Sequence, residues 1–232
     1  MFDRNRKALF REPRPDEPAP SVADPSAALG PVSVWAASQG FEFTGQTASC
    51  RFGVDGMIVG RPWRLEAGEP TRRYIQGTEL RARADLGIDP DVLVLVLNRR
   101  LKELMEKQAY ALFTNSVQTQ VDQNLPEEMR LLSMFDERGW DALPRSFWSR
   151  YAVVADEKDH ASAWIDPLLA TQLLEWPSPA TSPDAPFMMM LLRGKAYLRM
   201  QHDAEQLAGV QHAATVFTTA CEKALGAFRR PG

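Results

Sequence analysis

Cysteine and histidine are scarce in this chain, and the scarcity sets aside several kinds of chemistry. There are two cysteines, Cys50 and Cys221, and three histidines, His160, His202 and His212, in 232 residues. The cysteines lie far apart and no Cys-x-x-Cys occurs. They read as small buried residues of a reducing compartment, and spacing gives no support to a disulfide between them. His202 and His212 stand ten residues apart. Ten residues fall about 80° short of three full helical turns, so the two rings do not share a face and no metal is expected.

Long hydrophobic runs are also missing. The longest, Val92–Leu97 and Phe187–Leu192, fall far short of the roughly 20 residues a membrane-spanning helix needs. The first twelve residues lack the apolar stretch of a secretory signal, so the expected location is the cytoplasm. Neither sign of charge dominates: 27 Lys and Arg meet 30 Asp and Glu. A general nucleic-acid binder carries a basic footprint, so that class is disfavoured. No Gly-x-Gly-x-x-Gly, P-loop, Gly-x-Ser-x-Gly, His-Glu-x-x-His or EF-hand loop is present, and no cofactor is implied.

What the chain does have is a strong structural signal between Leu80 and Phe113. Leu80, Ala82 and Ala84 alternate with Arg81, Arg83 and Asp85, which predicts a half-polar strand. Val92–Leu97 is apolar on both faces and predicts a strand covered on both sides. Asn98 can cap a following helix whose apolar stripe is Leu101, Leu104, Met105, Ala109, Leu112 and Phe113.

Elsewhere, Pro31 and Gly40 bracket a helix over Val32–Gln39. Val54-Asp-Gly56 predicts a hairpin turn between short strands at Ser49–Phe52 and Met57–Val59, with another strand at Trp63–Leu65. Pro126 starts a helix with Glu127 and Glu128 in its first turn, and 136–148 reads as a loop. Tyr151–Ala155 is a strand. Phe187–Leu192, Arg193-Gly194 and Lys195–Met200 form a hairpin, followed by a helix from about Asp203 to Ala227. The order strand-strand-helix occurs at both 80–113 and 187–227, which hints at two similar halves of one sheet.

Three groups are candidates for function. Asp156, Asp159 and His160 form an acid/base cluster, although acidic residues at a helix start ordinarily satisfy free N–H groups. Arg81, Arg83, Arg99 and Arg100 could bind an anion, since guanidinium groups match carboxylate and phosphate geometry. Residues 51–107 hold eleven Lys and Arg against nine Asp and Glu, so a solvated charged face paired with Glu79, Asp85 and Glu103 is the ordinary reading. The third group is the start of the chain. Residues 1–12 carry four basic and two acidic side chains, and Phe2, Leu9 and Phe10 fall on one face of a helix. Five prolines follow in 13–28. A hydrophobic-basic segment on such a tether is a docking peptide for a partner groove or an anionic membrane surface.

The expected fold is therefore α+β: a mixed or mainly antiparallel sheet with amphipathic helices packed on it, as one domain over 29–228. A flexible proline-rich tail at 1–28 precedes it, and a disordered end at 229–232 follows. The preferred function is a non-enzymatic binding or adaptor domain. It engages an unidentified protein partner through its tail and one domain surface. The alternative is an enzyme acting on a small anionic substrate, with arginines binding it and Asp156, Asp159 or His160 moving a proton.

Overall fold

The computed structural model describes residues 25–48, 50–115, 126–177, 184–202 and 206–229, with side chains from 30 onward and none over 110–125. The tail residues Phe2, Leu9 and Phe10 lie outside the described residues. Among those described, seven helices pack on one eight-stranded sheet in which every pairing is antiparallel. This is the expected α+β class. No helix among them is long and apolar enough to cross a membrane.

The strands are β1 (Glu42–Thr44), β2 (Cys50–Ile58), β3 (Arg61–Gly68), β4 (Thr78–Asp85), β5 (Val94–Asn98), β6 (Tyr151–Ala155), β7 (Phe187–Leu192) and β8 (Lys195–His202). Their spatial order is β1-β2-β3-β4-β8-β7-β5-β6. The helices are α1 (Pro25–Ser38), α2 (Arg99–Asn115), α3 (Glu127–Met134), α4 (Arg145–Arg150), α5 (Lys158–Trp164), α6 (Pro167–Leu174) and α7 (Leu207–Ala227).

One face of the sheet is covered from end to end. Phe52, Val54, Leu65, Leu80, Leu198, Met189, Val96 and Val153 point into a single core there. They meet Val32 and Ala36 of α1, Phe147 of α4, Trp164 of α5, Leu169 of α6 and Phe217 of α7. The opposite face is covered only in part. Leu95, Leu97, Ala152, Val154, Met188 and Met190 pack under α2 and α3 in a second, smaller core. Strands β5, β6 and β7 are thus buried on both sides, as the unbroken apolar runs predict. Over β2, β3, β4 and β8 no described element covers the second face, and those strands alternate apolar and polar residues.

Several local expectations change. Val54-Asp-Gly56 is not a turn; β2 runs straight through it and the hairpin turns at Val59-Gly60, with φ of 49° and 75°. Asp55 serves instead as a strand partner of Arg64. Gly56 makes room for Trp63, whose Nε1 would sit 2.5 Å from a Cβ at that position. The first helix starts at Pro25, with Pro31 inside it, so it reaches into the segment read as linker. Part of the 136–148 loop folds as α4, after Pro144. Asp156 is not the cap of α5, which follows Glu157 and has no side-chain cap bond; the capping carboxylate is Asp166, which accepts from Leu169 N of α6 at 2.9 Å. Nor are there two similar halves: β7 and β8 form a hairpin, whereas β4 and β5 are separated by both.

Candidate functional site

The uncovered half-face is where the alternating pattern of β4 matters. Leu80, Ala82 and Ala84 point into the core, so Glu79, Arg81 and Arg83 must point the other way. Strand pairing then sets their neighbours. Arg64 stands opposite Arg83, Glu66 opposite Arg81, Arg81 opposite Arg199, and Arg83 opposite Tyr197. Directly opposed side chains have Cβ atoms about 5 Å apart, close enough for charges to interact.

A chain of ion pairs crosses this surface. Arg64 Nη1 donates to Asp55 at 2.5 Å and its Nε to Glu66 at 3.1 Å. Arg81 Nε donates to the other oxygen of Glu66 at 2.6 Å. Arg199 Nη1 donates to Glu79 at 2.5 Å, and Arg81 Nη1 lies 4.0 Å from the same carboxylate. Gly53 lets the Arg64 guanidinium lie flat across β2, since a Cβ there would fall 2.6 Å from Nη2. Burial opposes the charge on Glu66, but Arg81 and Arg64 outweigh it and hold its pKa below the usual carboxylate range. Together Arg64, Glu66, Arg81, Arg83, Tyr197 and Arg199 line a depression of about 200 Å³.

Two fully buried carboxylates fix the margin of the surface. Glu79 accepts from Thr71 N at 2.6 Å and Thr71 Oγ1 at 2.8 Å, which pins the β3–β4 connection. Glu128, on α3, accepts from Arg72 Nε at 2.5 Å and from the Tyr74 hydroxyl at 2.8 Å. Burial pushes the Tyr74 hydroxyl pKa up, and Glu128 adds to that rise.

The four sequence-selected arginines do not converge. Arg81 and Arg83 share the depression on the open half-face. Arg99 lines a different cleft of about 530 Å³, together with Arg138, Trp140, Trp148 and Lys158. There Arg99 donates to the Trp148 carbonyl and, at 2.8 Å, to Glu137. Arg100 points into a third depression and pairs with Asp184 at 2.5 Å.

The acid/base cluster has structural work to do. Asp156 accepts from Leu93 N at 3.3 Å and Glu157 N at 2.7 Å, and lies 3.0 Å from His160 Nδ1. The His160 ring packs edge-on against Phe228, and Asp159 is exposed in the first turn of α5. Three strands, β8, β7 and β5, separate β4 from β6, the strand leading into this cluster. At about 4.8 Å per strand, Arg81 is roughly 19 Å from it. Among the described residues no group of three or more His, Cys, Asp or Glu could hold a metal ion.

Beside Glu79, the acid expected to pair with this face, residues not singled out from the sequence complete the surface: Arg64, Glu66, Tyr197 and Arg199. For Tyr197 and Arg199 the signal was present as the period of two in Lys195–Met200, whose polar positions alternate with Ala196, Leu198 and Met200. What no local pattern carries is that β8 lies beside β4.

No protein-family model and no curated protein matches the chain. A solved structure does: the crystal structure of the mycobacterial trehalose monomycolate transport factor A. The chain is 12% identical to it, with a TM-score of 0.45, over 89% of this chain and 98% of that one.

Proposed function

We propose that the chain is a non-enzymatic binding or adaptor domain, and that the open half of its sheet is the surface that engages a protein partner. The observation that carries this reading is the uneven coverage of the sheet. Among the described residues, helices lie over the whole of one face and over β5, β6 and β7 of the other, and the rest of that second face is an ordered plane rich in arginine around Tyr197. Arginine and tyrosine are residue types that dominate binding energy at protein interfaces. A surface built on strands also presents them rigidly. The tail supplies a second contact: a helix over this basic segment would put Phe2, Leu9 and Phe10 on one face suited to a groove.

The enzymatic alternative has less support, because the Asp156 carboxylate is taken up by two backbone N–H groups and His160, on a different part of the molecule from Arg81 and Arg83. Affinity capture from the source cell tests the preferred reading. Arg83→Glu should remove the partner that the parent chain captures, and deleting residues 2–12 should weaken its capture, neither of them lowering the melting temperature. An unchanged partner list from both variants would defeat it.

A further inference from the structure

Resting on the open half-face as the docking surface, we infer that its Arg83–Tyr197 corner is a carboxylate-binding subsite, and that the partner segment seated there is acidic. The ion pairs across the surface alternate: Asp55, Arg64, Glu66, Arg81, Glu79, Arg199. Each of these arginines meets at least one carboxylate. Arg83 does not. It is exposed, stands opposite Arg64 on one side and Tyr197 on the other, and makes no hydrogen bond or ion pair among the described residues. The Tyr197 hydroxyl is equally unpartnered there.

The alternation therefore stops one acid short. The row holds four guanidinium groups, of Arg64, Arg81, Arg83 and Arg199, and three carboxylates, of Asp55, Glu66 and Glu79, all three taken by the other arginines. Like charges placed directly opposite on neighbouring strands repel, and Arg64 faces Arg83 with no ion pair from Arg83 to an acid among the described residues. A single incoming carboxylate relieves that repulsion and takes donors from both Arg83 and the Tyr197 hydroxyl. The surplus of one charge suits a monoanion better than a dianion. Because the remaining arginines are already paired, the site rewards one Asp or Glu side chain at this corner rather than a run of phosphates along the face.

The test uses the full chain and a fluorescent hexaglutamate peptide, with hexaglutamine as the uncharged control. Binding should be seen for hexaglutamate alone and should weaken as salt rises. Arg83→Gln should lower its affinity by at least about tenfold, the loss expected for a charge-assisted hydrogen bond, and Tyr197→Phe should lower it by less. Lys223→Gln, on the covered side, should leave it unchanged. Equal binding of hexaglutamine, or an undiminished affinity in Arg83→Gln, would overturn the subsite. So would inorganic phosphate displacing the peptide far better than acetate at matched ionic strength. If hexaglutamate fails to bind but Arg83→Glu still loses the captured partner, the carboxylate subsite falls and the docking surface stands. If hexaglutamate binds through Arg83 while capture is unaffected, the reverse holds.

Discussion

Replacing Glu128 by glutamine removes a charge that the fold has enclosed completely. The carboxylate is fully buried, and it receives Arg72 through Nε at 2.5 Å and Nη2 at 3.4 Å, with the Tyr74 hydroxyl at 2.8 Å. It thereby ties α3 to the β3–β4 connection and to the edge of the open surface. Breaking a buried ion pair on one side costs about 3–5 kcal/mol, because the other charge is left uncompensated. Arg72 keeps a quarter of its side chain exposed, so water relieves part of that penalty and the lower end, about 3 kcal/mol, applies. Burial pushes the Glu128 carboxyl up, but the Arg72 bond and charge outweigh it, and its pKa ends below the usual range. A carboxyl depressed on folding contributes stability that is fully present above its unfolded pKa of about 4.3, and that is lost as pH falls through the folded value. The glutamine variant has no such contribution to lose. In urea unfolding, the gap between parent and variant should therefore be largest near neutral pH and narrow in acid. A cost under about 1 kcal/mol near neutrality, or a gap that persists unchanged in strong acid, would refute the reasoning.

Two further substitutions test the β2–β3 hairpin. Val59 is β-branched and holds φ of 49° at an exposed turn, so Val59→Asn should stabilise the protein by about 1 kcal/mol, read as a higher urea midpoint. A lower midpoint would mean that the valine makes a contact that the turn geometry does not show. Gly56→Ala should cost about 1–3 kcal/mol, because its Cβ would meet Trp63 at 2.5 Å and Phe41 at 3.0 Å. It should also change the near-ultraviolet circular dichroism of the tryptophans, and neutrality would show that Trp63 has room to move.

The parts of the fold that were legible in the sequence were those set by unbroken local patterns. Phe187–Leu192 and Lys195–Met200 around Arg193-Gly194 form the expected hairpin, with φ of 52° and 75° at the turn. The Val92–Leu97 run marks β5, which is shifted to Val94–Asn98 and is buried on both faces because helices cover both. The Asp-Gly signal misled because glycine serves two purposes: it permits positive φ, and it permits close approach. At Gly56 the second applies, and only the Trp63 ring across the hairpin reveals it. The site was half legible for a related reason. Period two placed Arg81 and Arg83 on one polar face, but the ion pairs of that face join residues far apart in sequence, Arg81 to Glu66 across 15 positions and Arg199 to Glu79 across 120. Arg99 and Arg100 looked equivalent to them because they are close in the chain. The turn into α2 carries them to other parts of the surface.

The most direct measurement of the docking surface is site-specific photo-crosslinking in the source cell. A photoreactive phenylalanine analogue at Tyr197 sits in the open depression, whereas one at Thr215 is exposed on α7, the helix that packs on the covered face. The expected result is a discrete adduct from position 197, absent from 215 and abolished by Arg83→Glu. An adduct from 215 with none from 197, or one at 197 that survives Arg83→Glu, would contradict the assignment of the open half-face as the surface that meets the partner.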